Sequence, residues 1–185
     1  MKVMIDAELI KGLFPIEGRL VKIELFKLEN ITDTYLDWLN DTVTMQYSNQ
    51  RFHRHTQHTS LAYLGSFDCT ENLFLAVSLK SNEKYVGTMS AYISSAHETA
   101  DMGIMIGDKA SWGLGVGGDA WATLLSFLLN TVKVRKVTGG AVAANKGMIK
   151  IMSNSGMIPD GVRVRPELID RKAEDILHFA KYRCD

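Results

Sequence analysis

The chain has 185 residues and 46% hydrophobic content, enough to bury the core of one domain, which excludes a disordered or fibrous protein. Its 21 Lys and Arg balance 21 Asp and Glu, so there is no overall field to hold nucleic acid or an anionic membrane, and any polyanion must be met by a local basic patch. Cys69 and Cys184 lie far apart with no C-x-x-C spacing, which argues against a disulfide framework or a Cys-based zinc site and for two free thiols in a reducing cytoplasm.

Residues 1–12 carry Lys2, Asp6, Glu8 and Lys11 and never build the apolar core of a secretory signal. Residues 20–25 alternate imperfectly as a strand, and Tyr35, Leu36 and Leu39 give residues 32–39 helical spacing. A second helix is expected within 59–67. Residues 73–79 and 85–93 read as strands joined by Ser81-Asn82-Glu83-Lys84, a connection of hairpin length, and residues 99–106 complete an antiparallel meander. After a glycine-rich stretch, Ala120, Trp121, Leu124, Leu125, Leu128, Leu129 and Val132 recur at helix spacing. The longest apolar run, 124–129 broken by Ser126, is far below the roughly 20 residues of a membrane-spanning helix. A strand over 136–141, a helix opening near Asn145 and a terminal β region including 176–182 make the chain α+β with a mixed sheet. Without repeats or linkers, one domain is expected.

Residues 107–118 read Gly-Asp-Lys-Ala-Ser-Trp-Gly-Leu-Gly-Val-Gly-Gly, between a strand and a long helix. Glycines at 113, 115, 117 and 118 let main-chain N–H groups converge without side-chain obstruction, and the helix offers its positive N-terminal end. That suits a pyrophosphate; a glycine-rich chain reversal is the plainer alternative. Gly113, Gly115 and Gly118 also satisfy G-x-G-x-x-G, which keeps an NADP-linked oxidoreductase in consideration. Against it, the loop follows several strands instead of opening a βαβ unit, and no Asp or Glu occurs from 120 to 159 to meet a ribose. That window instead holds Lys133, Arg135, Lys136, Lys146 and Lys150, expected to form a basic region beside the turn for a ligand with several phosphates.

The segment from Ser111 to Ala120 resembles the acetyl-CoA loop of the GNAT acetyltransferase superfamily, Gln/Arg-x-x-Gly-x-Gly/Ala, with Gly115 and Gly117 at its glycine positions and Trp112 where many members carry Gln or Arg. The run from Asn145 to Met157 is similar to the Asn-x-x-Ser…Gly-Phe helix and turn of the ribosomal-protein N-terminal acetyltransferase-like (RimJ/RimL-like) branch, with Met148 and Met157 departing from Ser and Phe. Glu17-Gly-Arg-Leu-Val-Lys-Ile, Tyr35-Leu-Asp-Trp-Leu-Asn-Asp41, Val86-Gly87-Thr88 and Asp175 also resemble that branch in order along the chain. The resemblance implies a GNAT fold: a mixed, mostly antiparallel sheet of six to seven strands flanked by about four helices, with a splay between the central strands. A single domain over 1–185 with residues 1–16 as an N-terminal extension follows. It further implies a cytoplasmic bacterial enzyme using acetyl-CoA as co-substrate and no metal. A small-molecule amine is the expected partner, not nucleic acid or membrane, and the terminal strands can support a homodimer.

In the reaction so implied, a primary amine attacks the carbonyl of the acetyl-CoA thioester directly, and the C–S bond breaks as coenzyme A departs as its thiolate. The resemblance gives the cofactor Ile104, Met105 and Ile106 on the splayed strand, Trp112, Gly113, Leu114, Gly115, Val116, Gly117 and Gly118 in the turn, and Asn145 and Lys150 on the later helix. Alternation in residues 99–106 puts Ala100, Met102, Ile104 and Ile106 beneath the following helix and Thr99, Asp101, Gly103 and Met105 on the other face. Asp101 then stands where related sequences carry a Glu treated as the base; since an aspartate titrates near about 3.9, it needs a raised pKa or an intervening water, and a structural carboxylate is the competing reading. Glu98 is the reserve. Met152 occupies the position of the family's tyrosine acid and cannot donate a proton, so no general acid is assigned. Asn145 suits both a helix cap and the pantetheine arm. Between residues 51 and 58, His53, His55 and His58 suggest zinc, but without a carboxylate or Cys beside them an acceptor pocket in which Arg51 and Arg54 meet an acidic or phosphorylated substrate fits better. That loop resembles those of GNAT proteins in bacterial surface-sugar pathways, which favours an amine on a nucleotide-linked sugar; a protein N-terminus and a non-catalytic acyl-CoA-binding module are the alternatives.

Overall fold

A computed structural model describes residues 7–184; residues 1–6, the start of the expected N-terminal extension, lie outside it. The chain runs α1 (Ala7–Lys11), β1 (Ile16–Glu17), β2 (Val21–Leu25), α2 (Asp33–Asn40), α3 (Gln57–Gly65), β3 (Leu73–Leu79), β4 (Tyr85–Ser94), β5 (Thr99–Ile106), α4 (Val116–Ser126), β6 (Lys136–Val142), α5 (Lys146–Asn154), β7 (Ile158–Ile169) and β8 (Lys172–Tyr182). One sheet of eight strands takes the order β1-β2-β3-β4-β5-β6-β8-β7. Its neighbours are antiparallel except β5 and β6, which run parallel.

Local chemistry sets the helix starts. The Thr32 hydroxyl accepts from Tyr35 N–H at 3.2 Å to open α2, and Thr56 and Thr59 form a reciprocal capping box that begins α3 two residues before the expected 59. Asn145 Oδ1 accepts from Met148 N–H at 3.1 Å and caps α5 as expected. The helix after the glycine turn continues past Ser126 as a π-helical turn over Phe127–Thr131.

The sheet has more strands than expected at both ends. β1 adds an outer strand, and β7 forms despite Pro159, Gly161 and Pro166, which interrupt its alternation and coincide with its register shifts against β8. Ile158, Val162, Val164 and Leu168 of β7 are exposed along this outer edge.

Two apolar clusters cover the two faces. The larger joins β2–β6 to α4 and α5 through Trp121, Leu124, Leu128 and Met152, all fully buried; Ile10 and Phe14 of the N-terminal segment belong to it. The smaller, Phe26, Tyr35, Phe67, Phe74 and Ala76, lies under α2 and α3. β5 divides as its alternation predicts: Ala100 and Met102 are buried in the larger cluster with Ile104 and Ile106 against it, while Met105 packs on the smaller. The position of the absent tyrosine, Met152, is thus core.

Candidate active site

β5 and β6 pair only at Thr99 with Lys136, Ala100 with Val137 and Asp101 with Thr138, and then separate, although both strands continue. In the β4–β5 ladder the main-chain groups alternate sides; because Gly107 N–H bonds the Val86 carbonyl at 2.9 Å, odd-numbered residues of β5 face β4 and even-numbered ones face β6. Beyond the last β6 pair, the main-chain groups of Ile104 and Ile106 therefore turn into the gap. The Ile106 carbonyl is taken by the Trp112 indole N–H at 2.7 Å, which fixes the glycine turn to the end of the strand. The Met105 main chain faces β4, and Met105 packs against the smaller cluster and lines a cavity on that face of the sheet.

The turn that follows is open. Residues 112–115 are exposed, Gly113 and Gly115 have φ of 75° and 84°, a region favouring glycine, and Gly115 is the residue from which α4 starts. From Gly113 to Gly118, including Leu114 and Val116, no main-chain N–H donates to an acceptor among the described residues; donation resumes when Asp119 N–H reaches the Gly115 carbonyl at 2.9 Å. A Cβ added at Gly113 or Gly118 would meet nothing within 4 Å. Six consecutive free donors at a helix N-terminus, unobstructed, fit a diphosphate. The first turn of α4 is anchored from behind: the Asp119 carboxylate accepts from the main-chain N–H groups of Arg19, Leu20 and Val21 at 3.1, 2.7 and 3.2 Å. Upstream, the Lys109 ammonium beside Asp41, with the Thr44 N–H, holds the Asp41 carboxyl down to about 2, so the contact between α2 and the approach to the turn survives until the pH falls towards that value.

α5 lies beside this turn, with Ile151 Cδ1 3.4 Å from a Cβ placed on Gly117. Asn145 spends its oxygen on the cap and keeps its amide N–H groups, and Lys146 and Lys150 are exposed. The expectation of five cations in one basic region is corrected. Lys136 pairs with Thr99 at the start of β5, whereas the turn follows its end, roughly 23 Å away at about 3.3 Å per residue. There Lys136 binds Asp160 at 2.7 Å and Arg135 donates to the His97 carbonyl at 3.0 Å; α4 has carried the chain back across the sheet before these residues occur.

On the other face, α2, α3 and the loop between them roof a cavity of about 470 Å³ over β4 and β5. Tyr35, Leu39, Met45, Tyr63, Phe74, Met89, Ile104 and Met105 supply its apolar lining, and Ser48, Gln50, His53, Arg54, His55, Thr59, Ser60, Thr88 and Ser90 its polar one, with Gly103 beneath Ser90. Among the described residues no Asp or Glu lines it. The loop is pinned by Asn40, whose amide donates to the His55 carbonyl and accepts from the His55 N–H, both at 2.9 Å. Burial holds the Tyr35 hydroxyl up to about 12 and pushes the Tyr63 hydroxyl higher still, so both remain donors at neutral pH. Tyr63 also shares a 2.8 Å hydrogen bond with Tyr92.

Of the two arginines singled out in the sequence, Arg54 lines the cavity. Arg51 does not: its guanidinium donates to the Ser48 and Leu168 carbonyls at 2.7 and 3.0 Å and braces the loop against β7. Asp101 is exposed, outside the cavity lining, and accepts from the Thr138 hydroxyl at 2.5 Å where β5 and β6 last touch. Glu98 precedes β5, at a φ of 51°, and its carbonyl accepts from Arg135 N–H. His53 and His55 line the cavity and His58 does not; among the described residues no group of three His, Cys, Asp or Glu is placed to hold a metal. The cavity residues Tyr63, Ser60, Thr88 and Ser90 gave no sequence signal, because helix and strand residues of ordinary type become a site only through packing.

A family model for the acetyltransferase (GNAT) domain matches residues 21–158, and the chain belongs to the GNAT acetyltransferase family. It is by that membership an acetyl-CoA-dependent transferase. No curated protein matches it in sequence. Among solved structures it is similar to ribosomal-protein-S5-alanine acetyltransferase from Vibrio fischeri, with 17% identity and a TM-score of 0.75 over 93% of this chain and 98% of that one. It is also similar to the microcin C7 self-immunity acetyltransferase MccE in complex with acetyl-CoA and AMP, with 16% identity and a TM-score of 0.76 over 89% and 93%. A spermidine N-acetyltransferase SpeG chimera from Vibrio cholerae and hSSAT gives 11% and 0.77 over 89% and 96%. At these identities the likeness is one of fold. Among the described residues no helix is long and apolar enough to cross a membrane.

Proposed function

We propose that this transferase acetylates the primary amine of a small molecule that also carries an anionic group, with a nucleotide-linked amino sugar as the acceptor. The observation that carries the reading is the charge of the cavity lining: Arg54, His53 and His55 with no carboxylate among the described residues. A polyamine would find no counter-charge there, whereas a phosphate can receive the Arg54 guanidinium. The complex of MccE with acetyl-CoA and AMP gives a precedent, in a protein of similar fold, for binding both a nucleotide and acetyl-CoA.

In this reading the amides from Gly113 to Gly118 hold the diphosphate, Trp112 keeps the turn on the strand, Lys150 meets the outer phosphates and the Asn145 amide the pantetheine arm. The gap-facing N–H groups of Ile104 and Ile106 donate to the acyl oxygen as negative charge develops on it. Asp101, outside the cavity, takes the ammonium proton through water. The free, exposed thiols Cys69 and Cys184 suit a reducing cytoplasm, and the exposed edge of β7 suits pairing of two copies.

Thiol release from acetyl-CoA tests the proposal, with a UDP-linked amino-deoxyhexose, an alanine-initiated peptide and spermidine as acceptors. Turnover is expected with the sugar nucleotide. Turnover with the peptide alone makes the protein N-terminus the acceptor, and coenzyme A binding without thiol release makes the chain a non-catalytic acyl-CoA-binding module. Asp101→Asn is expected to lower kcat by about 100-fold with the KM for acetyl-CoA unchanged. Full turnover across pH in that variant dismisses Asp101 as the base.

A further inference from the structure

Three buried hydroxyls lack a hydrogen-bond partner among the described residues: Thr44, Ser60 and Tyr85. Only Ser60 lines the cavity. It is 4% exposed, and the ordinary outlet for a helical serine, the carbonyl four residues earlier, is closed to it. That carbonyl, of Thr56, already accepts from the Ser60 main-chain N–H and from the Thr59 hydroxyl, both at 3.0 Å, which uses its two lone pairs. The capping box that starts α3 thus strands the Ser60 hydroxyl. On the sheet side, Thr88 of β4 lines the same cavity; its hydroxyl makes no hydrogen bond with a described residue and, unlike that of Ser60, is not sealed from solvent. Buried polar groups left unpaired cost stability, so the stranded Ser60 hydroxyl, with the unpaired but accessible Thr88 hydroxyl on the opposite wall of the same cavity, calls for a partner from a ligand.

We propose that Ser60 and Thr88 are specificity residues that hydrogen-bond hydroxyl groups of the acceptor, so that the site takes a polyhydroxylated amine in preference to a bare amine with the same anionic group. The proposal rests on the acidic-amine reading above and deepens it. Arg54 distinguishes acceptors by charge, and Ser60 and Thr88 distinguish them by hydroxylation. An acceptor without hydroxyls leaves both side chains unpaired in the complex, which is the arrangement that discriminates most strongly between related substrates.

Calorimetry with the full chain saturated with coenzyme A compares glucosamine 6-phosphate with O-phosphoethanolamine, an amine and a phosphate with and without ring hydroxyls. The hydroxylated probe is expected to bind the wild type at least tenfold more tightly. Ser60→Ala is expected to lose about tenfold for glucosamine 6-phosphate and nothing for O-phosphoethanolamine. The same variant, which removes an unpaired hydroxyl, is expected to keep or raise the Tm of the unliganded protein, a combination that a merely structural serine does not give. Thr88→Val provides the second case from the opposite wall. Equal binding of the two probes by the wild type, equal loss for both in Ser60→Ala, or a lowered Tm with unchanged binding would overturn the proposal. Failure of the acidic-amine reading is seen separately, as discrimination by hydroxyls that persists when phosphate-free glucosamine replaces its 6-phosphate without loss of affinity.

Discussion

Replacing Asp119 by alanine is expected to destabilise the fold by about 3 kcal/mol, among the largest single-residue effects at the surface of α4. The carboxylate receives three main-chain N–H groups from the β1–β2 connection, and each charge-assisted bond is worth about 1.5–3 kcal/mol before water replaces part of it. Gly18 marks how closely the elements approach: a Cβ there would lie 2.5 Å from both Asp119 Oδ2 and Thr123 Oγ1. Alanine leaves the three donors facing a helix end with nothing to accept them. Urea unfolding reads the loss directly, and a fall in Tm of about 6–12 °C is expected for a chain of this size. Asp119→Asn, which keeps one oxygen, is expected to fall between. A change below about 0.5 kcal/mol for alanine would mean that water already satisfies those donors.

The second large effect separates function from fold. Gly118→Asp is expected to weaken coenzyme A binding by about 30-fold, or about 2 kcal/mol, while leaving stability unchanged or slightly raised. The side chain has room, since nothing lies within 4 Å of the Cβ position, and an acid in the first turn of α4 interacts favourably with the helix dipole. The same charge repels a diphosphate held on the amides of Gly113 to Gly118. Gly118→Asn adds nearly the same volume without charge and is expected to retain most of the affinity. Calorimetry with coenzyme A at low and high salt checks the cause: the deficit of the Asp variant shrinks with salt if it is electrostatic.

Much of this site was legible in the sequence because its signals are local. Glycines at 113, 115, 117 and 118 carry their own backbone meaning, Asn145 is a cap wherever it stands before a helix, and the alternation of residues 99–106 divided β5 between two faces as the structure does. The rest depends on registers that the sequence leaves open. The gap exists because β5 and β6 stop pairing after Asp101 and Thr138, a relation between residues far apart in the chain. Arg51 and Arg54 are indistinguishable as neighbours in a basic loop; the Leu168 carbonyl engages one and leaves the other to the cavity. The window from 120 to 159, with five cations and no carboxylate, points to one basic region, but β6 carries the chain from Lys136 back across the sheet before α5 and Lys150 begin. The sequence shows Asp119 only as part of the glycine segment, since its partners at Arg19, Leu20 and Val21 are about a hundred residues upstream.

The proposed function rests on coenzyme A being held by the six unpaired amides that follow Trp112. A titration of the ¹⁵N-labelled chain with coenzyme A, followed by amide chemical shifts, addresses them individually. The largest shifts are expected at Gly113 to Gly118, with downfield movement as those N–H groups acquire acceptors, and smaller shifts at Ile104 and Ile106. Saturable binding that leaves these amides unmoved and perturbs another region would contradict it.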